Sequence, residues 1–163
     1  MTSPETTKTQ TTATTADRTA VREMNSWFFD TYLPDWVRMG ADAATSDDAI
    51  LQYWGAPLHA ASVNMTKCLL TGDQVIGLLR ANQAPLQAQQ YTHTVVLDRA
   101  VKGYNSNAGS IDVIWSRRRA DESEIERRAV HFDIHRTSEG WRVVTVASTL
   151  TDQTSLSEIW ETV

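Results

Sequence analysis

Three residues stand where their chemistry is hard to ignore: Asp112, His131 and Asp133 each sit inside an apolar, β-favouring stretch. A carboxylate or imidazole buried in such a stretch needs a partner, because transfer out of water without one is costly. Asp112 lies between Ile111 and Val113, far from any turn signal. Burial in an apolar surrounding would raise its pKa and fit it for general acid or base work near neutral pH. It could equally be an outward-facing aspartate paired with Arg127 or Arg142 of a neighbouring strand. His131 and Asp133 are two residues apart, so both leave one sheet face and could form an orienter and base. The opposite face of that strand, Val130-Phe132-Ile134, is the obvious core face. If that face also lines a pocket, His131 and Asp133 point to the far side.

Two further histidines could carry protons at physiological pH: His93 opens a long strand, and His59 lies in a small hairpin. Either could instead be a structural hydrogen-bonder. Tyr53 and Trp54 precede a Gly-Ala-Pro break and would supply an aromatic wall with a polar tip. Tyr32 and Trp36 would do the same from the first helix. Metal binding is not expected, since the four histidines and one cysteine form neither H-x-x-x-H nor C-x-x-C. His131-x-Asp133-x-His135 alternates like a strand-borne site but has no evident further ligand. No glycine-rich phosphate loop is present, and therefore no nucleotide cofactor is expected. Cys68, in Lys67-Cys68-Leu69-Leu70, reads as a small buried hydrophobe.

The elements that must position these groups are legible from pattern. Met1–Ala16 is dominated by threonine and reads as a disordered tail, leaving residues 17–163 as one domain. A helix begins at Asp17 or Thr19 and places Val21, Met24, Trp27, Phe28 and Tyr32 on one face; Pro34 should kink or interrupt it. Ser46-Asp47-Asp48 starts a short helix ending near Gln52. Leu58–Val63 and Thr66–Leu70 form a hairpin about Asn64-Met65. Thr71-Gly72-Asp73-Gln74 is a capping box opening a third helix, which Pro85 should stop. Four strands follow, Thr92–Tyr104, Ala108–Arg119, Ile125–Arg136 and Trp141–Leu150, and Leu156–Trp160 is a last helical turn.

Composition narrows the function classes. The 163 residues carry a net charge of −5, which leaves no basic surplus for general nucleic-acid binding. Arg117–Arg119 is answered by Asp121, Glu122, Glu124 and Glu126 and reads as a solvated, mixed-charge turn. No run of about 18 apolar residues exists to span a bilayer, and the N-terminus lacks the apolar core of a signal peptide. A cytoplasmic protein is expected.

The order of helix, short helix, small hairpin, capped helix and four-strand meander resembles the nuclear transport factor 2-like superfamily, most of all its SnoaL-like branch. Leu70–Leu79, with its glycine-led helix entry, and His131–Val144, with its Gly140-Trp141-Arg142 step between the last strands, carry the likeness. The resemblance implies an α+β fold, a cone-shaped curved antiparallel sheet packed against three N-terminal helices (a cystatin-like roll). It also implies an interior pocket and, commonly, a homodimer through the sheet. No family-wide catalytic motif transfers residue by residue. The expected function is therefore a cofactor-free isomerase, dehydratase or cyclase acting on a small apolar, cyclic molecule. In it Asp112 would be the acid/base, His93 or His59 a relay, and Tyr32, Trp36, Tyr53, Trp54, His131 and Asp133 the substrate-binding groups. The alternative is a non-catalytic binding or dimerisation module of the same fold.

Overall fold

The computed structural model describes residues 15–160, with side chains from residue 18 onward. The threonine-rich stretch expected to be disordered lies outside the described residues, except that Thr15 and Ala16 already belong to the first helix. That helix, α1 (Thr15–Ser26), runs on through a π-helical turn (Trp27–Tyr32) into α2 (Leu33–Ala41). Ser26 and Leu33, at the joints, both keep right-handed helical dihedrals, so the three pieces form one rod. In the wide turn the Leu33 amide reaches back to the Phe28 carbonyl. Pro34 explains its place: it offers no N–H, and its ring would crowd a carbonyl one α-turn earlier. The expected interruption is thus a change of helix type.

Ser46 caps the short α3 (Asp47–Leu51) by accepting from the Asp48 amide. Strands β1 (Trp54–Ser62) and β2 (Met65–Leu69) make the small hairpin. Both halves of the capping box at Thr71 and Gln74 form and open α4 (Gly72–Ala88). Pro85 does not stop this helix but lies inside it. One further turn survives because the Gln89 amide bonds the Pro85 and Leu86 carbonyls, and Leu86 gains burial in return.

Strands β3 (His93–Asn105), β4 (Ala108–Arg118), β5 (Glu124–Thr137) and β6 (Gly140–Leu150) form the antiparallel meander within a residue or two of expectation. The six-stranded sheet runs β2-β1-β6-β5-β4-β3, with β1 parallel to the central β6. Gly140, at φ +109°, makes the β5–β6 turn.

Sheet and rod meet on one face, through alternate residues. Phe132 of β5 packs against Phe28 at 5.0 Å and Trp115 of β4 at 5.7 Å between ring centroids. Tyr32 and Trp36 pack on Trp54 at 6.2 and 5.9 Å. The approach is tight at Gly109, where a Cβ would sit 2.5 Å from Met24 Cε. On the opposite face lies the C-terminal segment. Arg127 bonds the Asp152 carbonyl at 2.7 Å, and the Leu156 amide, at the start of the 3-10 turn Leu156–Glu158, bonds Asp98 at 2.8 Å. The turn packs against β3 and β4. Cys68, expected inside, is exposed on the edge strand β2.

Candidate functional site

Between the sheet's inner face, the rod and α4 lies a cavity of about 280 Å³. Its walls follow from strand periodicity. On β4, Trp115 and Arg117 continue the inward phase of Ile111 and Val113; on β5, Glu126 and Arg128 continue that of Val130 and Phe132. Tyr32 and Trp36 come from the rod, Trp54 from β1, and Leu79, Asn82 and Leu86 from α4.

The cavity is aromatic at one end and ionic at the other. Arg117 Nη1 donates to Glu126 Oε1 at 2.7 Å, and Arg128 Nε donates to the same oxygen at 2.9 Å. Arg128 Nη1 also reaches Ser148 Oγ at 3.4 Å. The three side chains are 11%, 29% and 20% exposed for Arg117, Arg128 and Glu126 respectively. Burial pulls the Arg117 guanidinium below its ordinary range; attraction to Glu126 opposes this, and the like charge of Arg128 adds to it. Burial alone would raise the Glu126 carboxyl, yet its bonds and charge contacts with Arg128 and Arg117 hold it below the usual glutamate value.

At the aromatic end three polar atoms are buried without a hydrogen-bond partner among the described residues: Tyr32 Oη, Trp54 Nε1 and Trp115 Nε1. The Tyr32 phenol is driven far above its ordinary range by complete burial. Arg117 and the neighbouring Trp54 indole oppose that without offsetting it, and the Trp54–Tyr32 pair does not reach hydrogen-bonding geometry. Tyr32 is therefore a neutral phenol.

The residues singled out from sequence divide between the sheet's two faces. Tyr32, Trp36 and Trp54 line the cavity. Asp112 does not: it is out of phase with Trp115 and Arg117 and faces the convex side, 93% buried. There it lies 2.8 Å from His131 Nδ1, and His131 Nε2 lies 3.3 Å from Asp133. The partner is a cross-strand histidine, not Arg127 or Arg142, because Asp112 and His131 are directly opposed in the β4–β5 register. His93 contacts Thr92 and Glu122 beside the β4–β5 turn, and His59 is exposed on β1 with Nε2 3.8 Å from Cys68 Sγ. Neither reaches the cavity. The Tyr53 hydroxyl donates to Asp35 outside it, and burial together with that carboxylate pushes its pKa up to about 12.

Arg117, Glu126 and Arg128 were missed. Arg117 is no solvated turn residue: it is two positions beyond Trp115 on the core face, and Glu126 and Arg128 run in phase with Val130 and Phe132. Period-two alternation carried past the last apolar residue would have found all three.

The fold agrees with what the chain resembles. Residues 22–151 match the family model described as NTF2-like protein (DUF6841). The chain belongs to this NTF2-like family. Solved structures repeat the architecture at low identity. An NTF2-like protein with a cystatin-like fold from Novosphingobium aromaticivorans shares 19% identity over 83% of this chain and 82% of its own, with a TM-score of 0.54. A domain with a cystatin-like fold from Nostoc punctiforme shares 16% identity over 90% and 83%, with a TM-score of 0.57. An NTF-2 like protein from Shewanella oneidensis shares 13% identity over 78% and 97%, also at 0.57. No curated protein matches the sequence. At these identities the likeness establishes the fold alone.

Proposed function

We propose that this NTF2-like protein binds a small, cyclic, largely apolar molecule in the cavity between its sheet and α4. One observation carries the reading: the NTF2-like cone is not filled by its own tryptophans but keeps an aromatic-walled void with polar groups at one end. About 150 Å³ accommodates one benzene in a dry protein cavity, so a space near 280 Å³ suits one substituted ring or two fused rings. Aromatic faces supply the stacking surface, and Arg117, Glu126 and Arg128 supply orientation.

Isothermal titration against one- and two-ring compounds, with Trp54→Ala as the comparison, tests this. The wild-type chain should bind a two-ring ligand at micromolar strength or better, and Trp54→Ala should weaken it at least tenfold. Equal affinity in both proteins would remove the cavity as the binding site.

A second reading, cofactor-free proton transfer on the bound molecule, has a different basis from the one expected of Asp112. Among the described residues the cavity holds one carboxylate, Glu126, together with the neutral phenol of Tyr32. A carboxylate base and a phenol donor form a pair suited to isomerising or dehydrating a cyclic ketone. Two guanidinium contacts on Glu126 work against it, because they stabilise the ionised form and weaken the base. Binding is therefore the leading reading. Measurable turnover of a bound cyclic ketone that disappears in Glu126→Gln, with affinity retained, would reverse the order.

A further inference from the structure

The ionic end of the cavity is unfinished. Two guanidiniums face one carboxylate, so the lining carries one excess positive charge inside a chain whose net charge is −5. The donor count shows the same surplus. Among the described residues, Arg117 bonds only through Nη1, and Arg128 only through Nε and Nη1. Arg117 Nε and Nη2 and Arg128 Nη2 have no acceptor among the described residues.

Arg127 supplies the internal comparison. It lies one residue from Arg128 on the same strand, but on the convex face. There Nε and Nη2 bond Glu124 at 3.1 and 3.3 Å, and Nη1 bonds the Asp152 carbonyl at 2.7 Å. All three of its nitrogens are engaged. This chain can therefore saturate an arginine on β5, and it leaves the two that face the void unsaturated.

We infer that the ligand of this cavity is an anion, a cyclic or aromatic carboxylate, whose carboxylate takes the open donors of Arg117 and Arg128 while its ring lies against Trp54, Trp115 and Phe132. The inference rests on the ligand-binding reading above and specifies its chemistry. Guanidinium favours carboxylate by geometry as well as charge, because paired N–H groups meet paired oxygens. An incoming carboxylate also makes the local charge neutral, two positive groups against two negative, which relieves the burial cost carried by Arg117. A neutral amide of the same shape offers one acceptor and no charge, and it brings further N–H groups to a site already rich in them.

The experiment compares 2-naphthoate with 2-naphthamide by isothermal titration at pH 7.5, on the wild-type chain and on Arg128→Gln and Arg128→Lys. Wild-type protein should bind the carboxylate at least tenfold more tightly than the amide. Arg128→Gln should bring the two affinities within threefold of one another, and Arg128→Lys should keep part of the preference. The wild-type contrast needs no variant, and thermal melts show whether each variant is folded. If the amide binds as well as the acid, the anion inference is overturned and the cavity reading stands. If neither binds, the cavity reading itself fails and takes the inference with it. A preference that survives intact in folded Arg128→Gln also overturns the inference.

Discussion

The two faces of the β4–β5 pair are made from the same strands and are finished to different degrees. On the convex face polar groups close on one another: Asp112 with His131, His131 with Asp133, Ser116 with Glu124, and Glu124 with Arg127. On the concave face they do not. Tyr32, Trp54 and Trp115 keep buried polar atoms unpartnered, and Arg117 and Arg128 share a single carboxylate. A satisfied buried network reads as structure, because its groups gain nothing from a visitor. An unsatisfied one beside a void reads as a place made for something else. The mid-strand carboxylate that looked most like a catalyst belongs to the first kind.

Substitutions on the two faces should separate along that line. The largest effect is expected from Phe132→Ala, which removes a fully buried ring touching Phe28, Tyr32, Trp54 and Trp115. Denaturant unfolding should show a loss of about 3–5 kcal/mol. A loss below 1 kcal/mol would mean that the rod and sheet are not held together there. Asp112→Ala comes next. It strands a part-buried imidazole, and stability should fall by about 1–3 kcal/mol, while affinity for a cavity ligand stays within twofold. A tenfold drop in affinity would erase the distinction between the faces.

Tyr32→Phe should act in the opposite direction. It deletes a buried hydroxyl that has no partner among the described residues, and the ring's contacts survive. Stability should rise by about 1 kcal/mol, and a fall of that size would reveal a partner for the hydroxyl. The smallest effect is a pH dependence. The folded pKa of Glu126 lies below its usual 4.5, so its contribution is present above that value and fades as pH falls through the folded pKa. Glu126→Gln should therefore flatten the acid limb of the stability curve and leave the limb between pH 6 and 8 unchanged. An acid limb that keeps its steepness would show that Glu126 is not held by its arginines.

Much of the scaffold was legible in the sequence because it rests on local rules. The capping box at Thr71, the Ser46 cap and the four meander strands each follow from residue type at fixed offsets, and each lies within a few residues of its expected place. Pro85 departed from the local rule because tertiary burial of Leu86 holds the last turn of α4. The site was harder. Whether Asp112 looks into the cone or away from it depends on which face the helices cover, and that is set by packing, not by the strand's own pattern. Arg117 was hidden differently: a run of three arginines beside acidic residues has the composition of a surface turn. Only its phase with Trp115 shows that one of the three goes inward.

The most direct test is to follow the indole N–H and histidine resonances of the folded chain by NMR as 2-naphthoate is added. Saturable shifts at the Trp54 and Trp115 indoles, with His131 and His59 unmoved, are expected of an unfinished concave face that waits for its ligand. Shifts at His131 with both of those indoles unmoved would contradict it and return the site to the convex side.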